Sequence, residues 1–335
     1  MIVEAQTPTR VDLAGGTIDI PPIYLFHQGA ATVNFGISLY ARCRIEELAD
    51  DRVVLESRDR NVQYETNLGG IENLIHEERL ELIAKLVHLF RPERGFHLTA
   101  DCESPAGAGL GGSSSLAIAC IGALNRFVGG RYDESEFIRI AANVETTVIR
   151  VPAGLQDYYG AFYGRANCIH FRRDRTEREE LAIDVRQLED RIRICYTGEP
   201  RLSGTNNWEI TKRYIDRDPV LFELFDGIRD TALQMRAALI ENDFDRIRDL
   251  MRGAYPSRKR LAPNITTPNM ERLVQTTLAN GAEAAKVCGA GGGGCIAFLC
   301  AEGEAATVER ALAREEGVSV LPWRFASEGL TVREL

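Results

Sequence analysis

The residues of this 335-residue chain best suited to chemistry sit in two glycine-rich clusters. The first reads Ser104-Pro105-Ala106-Gly107-Ala108-Gly109-Leu110-Gly111-Gly112-Ser113-Ser114-Ser115. Glycine has no Cβ, so such a run can turn sharply and approach a ligand closely. It lies between a strand pattern over 95–102 and a helix pattern over 113–127. Its amides therefore point from a helix amino end, where the dipole favours anions. The serine hydroxyls there can donate to phosphate or ligate Mg²⁺ through oxygen. A Walker A reading fails, because no Lys-Ser or Lys-Thr follows the glycines. Gly107, Gly109 and Gly112 do satisfy G-x-G-x-x-G. A dinucleotide fold, however, needs a second strand after the helix with an acid about 20 residues on. Asp133 sits near that distance but opens another helix. What remains is a nucleotide-phosphate loop of a different type. The second cluster, Gly289-Ala290-Gly291-Gly292-Gly293-Gly294, runs strand to strand. That favours a close approach of backbones over a helix-dipole site.

These loops need elements to hold them. Residues 33–45 and 52–56 alternate as strands, 80–90 has helical spacing, and 113–127 is apolar nearly all round, as in a buried helix. Asp133 with Glu136 resembles a capping box opening a helix to about residue 149. The second half predicts a strand over 191–196, helices over 206–215, 219–240, 244–261 and 268–280, strands over 284–288 and 295–300, and a helix over 304–316. Strand-like segments at 323–325 and 330–332 close the chain. The run Arg172-Arg173-Asp174-Arg175-Thr176-Glu177-Arg178-Glu179-Glu180 is mixed in sign and reads as a solvated segment at a domain boundary. At roughly 150 residues per domain two domains are expected, 1–180 and 181–335.

Composition narrows the function class. Apolar residues make up 44% and charged residues 27%, which excludes a disordered or fibrous chain. The net charge of −9, from 40 basic and 49 acidic side chains, argues against a nucleic-acid partner. No apolar run approaches the roughly 20 residues of a membrane helix, so no membrane partner is expected. The amino end lacks the basic flank and apolar core of a leader. The eight cysteines are dispersed without a CxxC pair, as in reduced thiols of a cytoplasmic protein. The five histidines show no HxxxH or HExxH spacing, so a zinc site is not expected.

Three motifs, in order, resemble the GHMP kinases, the family of galactokinase, homoserine kinase, mevalonate kinase and phosphomevalonate kinase. The first is Pro8-Thr9-Arg10-Val11-Asp12-Leu13-Ala14-Gly15-Gly16-Thr17-Ile18-Asp19, the second the loop over 105–115, and the third Lys286-Val287-Cys288 with the glycines that follow. A fourth segment, Gly154-Leu155-Gln156-Asp157, is similar to the family's G-x-x-D segment. The resemblance implies an α+β, two-domain GHMP kinase fold. Its amino-terminal domain is ribosomal-protein-S5-like and its carboxy-terminal domain ferredoxin-like, with ATP and substrate meeting between them. Phosphoryl transfer needs positioning and charge stabilisation more than covalent chemistry. The resemblance assigns the ATP phosphates to Pro105, Gly107, Ala108, Gly109, Leu110, Gly111, Gly112, Ser113, Ser114 and Ser115, and Mg²⁺ to Ser113. It makes Asp157 the group that accepts the acceptor's proton or orients it. Arg10 pairs with Asp157 and stabilises charge on the transferred group. Asp19, Gly16, Thr17, Gly291 and Gly292 fall on the substrate side. No acidic Mg²⁺ ligand is assigned.

Galactokinase has Glu-His where this chain has Gly16-Thr17. The pattern A-G-G-x-x-D-x-P, with G-A-G-G-G-G late in the chain, looks closer to the heptose 7-phosphate kinases, which act on the anomeric hydroxyl of a sugar phosphate. Thr17-Ile18 and Tyr158 depart from that subgroup. The expected function is ATP- and Mg²⁺-dependent phosphorylation of a sugar or sugar phosphate at the anomeric hydroxyl. The alternatives are a homoserine- or mevalonate-type alcohol kinase and a non-catalytic sugar sensor. Arg201, in the polar stretch 196–209, would suit a substrate phosphate, because guanidinium binds phosphate bidentately. Ser, Thr and Asn in that stretch can cap a helix at Asn206 or contact ligand. The oligomeric state stays open between monomer and homodimer.

Overall fold

The structure, a computed structural model, describes residues 1–200 and 203–335. In chain order the first half runs β1 (Ile2–Ala14), β2 (Ala31–Glu47), β3 (Arg52–Ser57), β4 (Val62–Asn67), α1 (Glu81–Phe90), β5 (Phe96–Cys102), α2 (Gly112–Phe127), α3 (Phe137–Ile149), α4 (Gln156–Tyr163), β6 (Ala166–Phe171) and β7 (Thr176–Glu180). In β2 the stretch from Leu39 to Ile45 alternates buried and half-buried positions, as one covered face demands, whereas the stretch from Ala31 to Ile37 is buried on both faces. β1 makes the same switch after Gln6. The switch marks where the second half of the chain docks, and motif one lies in the doubly covered part.

The strands order as β12–β1–β2–β5–β3–β4. β6 pairs with residues 31–35 of β2, and β7 extends from β6. The pairing of β3 with β5 is parallel, which requires the crossover that β4 and α1 supply. Helices α1 to α4 cover one face, and α2 is buried on nearly every side against β1 and β2.

The second half follows with α5 (Val185–Arg191), β8 (Ile192–Tyr196), α6 (Ser203–Ile215), α7 (Pro219–Glu241), α8 (Phe244–Lys259), α9 (Pro268–Leu278), β9 (Ala282–Val287), β10 (Cys295–Cys300), α10 (Ala305–Leu312), β11 (Ser319–Leu321) and β12 (Thr331–Glu334). β11–β8–β10–β9 form a second, antiparallel sheet. α9 and α10 pack with one set of its side chains. Residues of α7 and α8 join its other side to β1 and β2 through a shared core that includes Val33, Phe35, Met235, Ala238 and Met251.

Several elements differ from the sequence expectation: β1, β4, α4, β6 and α5 have no counterpart in it, and the segment expected as a strand over 323–325 contributes only an isolated bridge from Phe325 to Ile37, the strand lying at Ser319–Leu321. Asp133 caps a short 3₁₀ turn, accepting from the Ser135 amide, and α3 starts only at Phe137. The charged run over 172–180 is not a plain solvated linker, because Thr176–Glu180 pairs as an edge strand. Its carboxylates meet Arg172, Arg175 and Arg236, a way of blunting a sheet edge with charge. The last strand, β12, leaves the second lobe and pairs with β1 of the first sheet. Among the described residues no helix is long and apolar enough to cross a membrane.

Candidate active site

Arg10 stands at the centre of the arrangement. β1 carries it into the doubly covered zone, where its side chain is 1% exposed. Its Nε donates to Asp157 Oδ1 at 2.8 Å and a terminal nitrogen donates to the same oxygen at 2.5 Å. The other terminal nitrogen donates to the Gly109 carbonyl at 2.7 Å, and the Arg10 amide donates to the Leu110 carbonyl at 3.0 Å. One residue thus grips both the phosphate loop and the aspartate on α4. Burial alone would lower the Arg10 pKa, but the facing charges of Asp157 and Asp12 outweigh it and hold the guanidinium charged. The Asp157 side chain is 23% exposed and lines a cleft of about 1030 Å³.

The same cleft is lined by the loop between β5 and α2. Gly107, Gly109 and Gly111 all take positive φ, which L side chains rarely adopt. Gly111 is the N-cap of α2 and offers no side-chain hydrogen bond. The first turn of this sixteen-residue helix thus has no side-chain cap on its amides, the arrangement in which a helix amino end can take an anion. Of the loop residues expected at the phosphates, Pro105, Gly107, Ala108, Gly109, Gly111, Gly112, Ser113 and Ser114 line the cleft. Leu110 and Ser115 do not. Leu110 is buried in the core shared by the two lobes, and the Ser115 hydroxyl donates to the Pro8 carbonyl at 2.9 Å.

A residue missed by the sequence reading completes this end. Glu145 of α3 is buried and lines the cleft. Its Oε2 accepts from the Ser114 hydroxyl at 2.7 Å and the Tyr158 hydroxyl at 2.6 Å. No salt bridge to it occurs among the described residues, and burial pushes its pKa up, against those hydrogen bonds. A signal was present. Phe137, Ile140, Ala141 and Glu145 fall on one helical stripe, so this carboxylate stands where the pattern calls for an apolar side chain. A buried carboxylate without a cationic partner, beside serine hydroxyls, is the hard-oxygen donor set that Mg²⁺ takes.

On the substrate side, Thr17 and Asp19 line the cleft and Gly16 does not. The Gly16 carbonyl accepts from Arg258 at 3.0 Å. A Cβ there would meet Asp12 Oδ2 at 2.7 Å and Gln156 Nε2 at 3.3 Å. Gly289 and Ala290 line the cleft, whereas Gly291 and Gly292, expected at the substrate, pack behind its wall against the backbones of Ile265 and Asn264. The rest of the cluster serves the same end. Gly293 lies against the Glu199 backbone, and a Cβ on Gly294 would meet the Ala108 and Gly107 carbonyls at 2.6 and 2.7 Å. The Cys295 amide donates to that Ala108 carbonyl at 2.7 Å. Motif three is thus a buttress beneath the phosphate loop.

Motifs one and three are also joined by charge. Lys286 Nζ donates to Asp12 Oδ2 at 2.5 Å and the Gly289 amide donates to Oδ1 at 3.2 Å, all buried. Burial pushes the Asp12 pKa up, but Lys286, Arg10 and Arg258 outweigh it and hold it below the usual range. Asn206, expected as a helix cap, lies inside α6 and donates to the Ala290 and Asn264 carbonyls. Arg201 lies outside the described residues.

Away from the cleft, the ligand atoms of Cys168, His170 and Glu179 lie within 4.8 Å of one another. Burial pushes the Cys168 thiol up to about 12, and Arg236 donates twice to the Glu179 carboxylate. A protonated thiol and a carboxylate already paired make a poor metal site.

Residues 77–165 match the family described as GHMP kinases N terminal domain, and residues 235–319 match GHMP kinases C terminal. The chain is 27% identical over 339 residues to the D-glycero-alpha-D-manno-heptose 7-phosphate kinase of Campylobacter jejuni, covering 98% of each chain. It is 23% identical over 352 residues to the mevalonate kinase of Thermococcus sibiricus, covering 100% of this chain and 99% of that one. Among solved structures, a D-glycero-D-manno-heptose 1-phosphate kinase from Bacteroides thetaiotaomicron superposes with a TM-score of 0.77 at 23% identity, covering 99% of both chains.

Proposed function

Because the chain belongs to the GHMP kinase family, we propose that it transfers the terminal phosphoryl group of Mg-ATP to the anomeric hydroxyl of a sugar phosphate of the heptose 7-phosphate class. The observation that carries the reading is the Arg10–Asp157 pair, held at 2.5–2.8 Å and facing the same cleft as the phosphate loop. The cleft volume of about 1030 Å³ reaches the top of the ~300–1,000 Å³ span of small-molecule sites, as two substrates side by side require. The substrate class is supported by the heptose 7-phosphate kinase relative and by motif one, which has Gly16-Thr17 rather than Glu-His.

In this reading the amides at the start of α2 hold the ATP phosphates. Asp157 orients the acceptor hydroxyl and takes its proton as the oxygen attacks phosphorus. Arg10 stays charged throughout, fixes the Asp157 carboxylate and faces the charge that spreads over the phosphoryl oxygens. Ser113 and Glu145 are the residues that would hold Mg²⁺, which when bound neutralises phosphate charge. Arg201 is assigned to the acceptor's own phosphate on its residue type and place in the chain.

The test is a coupled ADP-release assay with Mg-ATP against D-glycero-D-manno-heptose 7-phosphate, free sugars, other sugar phosphates, homoserine and mevalonate. Turnover confined to the heptose phosphate, with the product phosphorylated at the anomeric carbon by ³¹P NMR, is expected. Preference for mevalonate or homoserine would overturn the substrate class. ATP binding without turnover of any acceptor would leave the sensor reading in its place.

A further inference from the structure

The segment over 15–19 is held in an unusual way. Thr17 has φ +82°, a left-handed conformation that is a genuine outlier for a β-branched residue. Such a backbone persists only where its surroundings hold it. Here the Thr17 amide donates to Asp19 Oδ1 at 3.0 Å. The other oxygen of the same carboxylate, Oδ2, accepts the amide of Gln156 at 2.9 Å. Gln156 is the first residue of α4, and the next is Asp157. The helix's own N-cap, Leu155, has no side chain able to cap, and no side-chain cap bond is made there. The geometry around Asp19 leaves no slack, since a Cβ on Gly154 would meet Oδ2 at 2.5 Å.

We infer that Asp19 is a positioning residue which supplies from motif one the N-cap that α4 lacks, and so locks the strained Thr17 backbone and the Asp157 carboxylate into one rigid unit. A carboxylate at a helix amino end satisfies an orphan amide and is favoured by the dipole. Each Asp19 oxygen is already engaged by a backbone amide. That bridge aligns the loop that faces the acceptor with the group that takes the acceptor's proton. The consequence is that acceptor loop and base cannot move independently. This role deepens the proposed function, because it gains catalytic meaning through Asp157.

The test is hydrogen–deuterium exchange of the full-length chain, comparing wild type, Asp19→Ala and Asp19→Asn, with melting curves to confirm folding. Loss of a cap corresponds to about 2- to 30-fold faster local opening. That acceleration is expected at residues 154–160 in Asp19→Ala, with residues 166–171 unchanged. Exchange at 154–160 equal to wild type in both variants would overturn the inference. Turnover is the second arm. Asp19→Asn should lower kcat with Mg-ATP and D-glycero-D-manno-heptose 7-phosphate at least about tenfold while acceptor KM moves less than about threefold. Thr17→Gly, which removes the strain to be held, should recover part of that loss in the double variant. A raised acceptor KM with kcat kept and no recovery would make Asp19 a plain sugar ligand. Failure of wild type to turn over this acceptor would count against the proposed substrate alone, and the exchange comparison would still decide the role of Asp19.

Discussion

Asp157→Asn separates chemistry from support most cleanly. The amide keeps an oxygen at the position that accepts from Arg10 Nε at 2.8 Å, so shape and one hydrogen bond survive. What goes is the charge and the capacity to take a proton. Loss of a positioned base lowers kcat by about 10²- to 10⁴-fold, which is ~3–5 kcal/mol on the barrier. Stability changes less. Breaking a fully buried ion pair costs ~3–5 kcal/mol, but here one partner is 23% exposed, Arg10 keeps the Gly109 carbonyl and Asp12, and the amide still accepts, so ~1–2 kcal/mol is expected. Activity should therefore fall far more than stability. The assay is ADP release under saturating substrates, alongside a melting curve and calorimetric titration with a non-hydrolysable ATP analogue. A kcat within about threefold of wild type would refute the role. So would a loss of nucleotide affinity parallel to the loss of kcat, since that would make Asp157 a mere prop for the phosphate loop.

Four other outcomes are expected. Glu145→Gln should raise the Mg²⁺ concentration for half-maximal activity by about tenfold or more, ~1.4 kcal/mol of lost cation affinity, read by Mg²⁺ titration at fixed ATP. Gly294→Ala forces a Cβ against the Gly107 and Ala108 carbonyls at φ +81°, so it should lower the melting temperature and weaken ATP binding together. Gly303→Ala, at φ +79° with nothing within 4 Å, should lose ~1 kcal/mol and leave ATP binding unchanged. Burial, reinforced by the Asp157 charge against that of Arg10, raises the Asp19 pKa from 3.8 to about 6. The folded state then holds this proton more tightly than the unfolded chain, so its contribution is full below pH ~4 and is lost as pH rises through ~6. Relative to Asp19→Asn, wild type should lose about 2 kcal/mol between pH 4 and 7, measured by urea unfolding at both pH values.

Much of the site was legible because its parts are local. A glycine run between a strand and a helix is a local pattern, and Asp157 was reached through the resemblance of Gly154-Leu155-Gln156-Asp157 to the family's G-x-x-D segment. What escaped depends on neighbours far along the chain. Gly291 and Gly292 look like ligand glycines until Ile265 and Asn264 are seen against them. Glu145 hides in an apolar stripe, and its role appears only when α3 sets it against Ser114. Ser115 continues a run of hydroxyls, but a helix turns each successive side chain by about 100°, which aims this one at Pro8. In the first sheet β2, β3, β5 and β12 were readable as strands, whereas β1, β4, β6 and β7 were not. The strand order was not readable either, because the parallel β3–β5 pair and the return of β12 are decided by crossover and docking rather than by local pattern.

That returning strand bears on how the chain is made. β12 pairs with β1 from Val3↔Glu334 to Gln6↔Thr331, and the Leu335 amide donates to the Ile2 carbonyl at 2.9 Å. Contacts between residues so remote in sequence form late, since loop closure must come first. On the ribosome, β1 would emerge well before β12 and keep one flank bare while the second lobe is synthesised, an exposed edge open to pairing with another nascent chain. Crowded polysomes would be the hazard, since this flank of β1 is sealed only once β12 has been made.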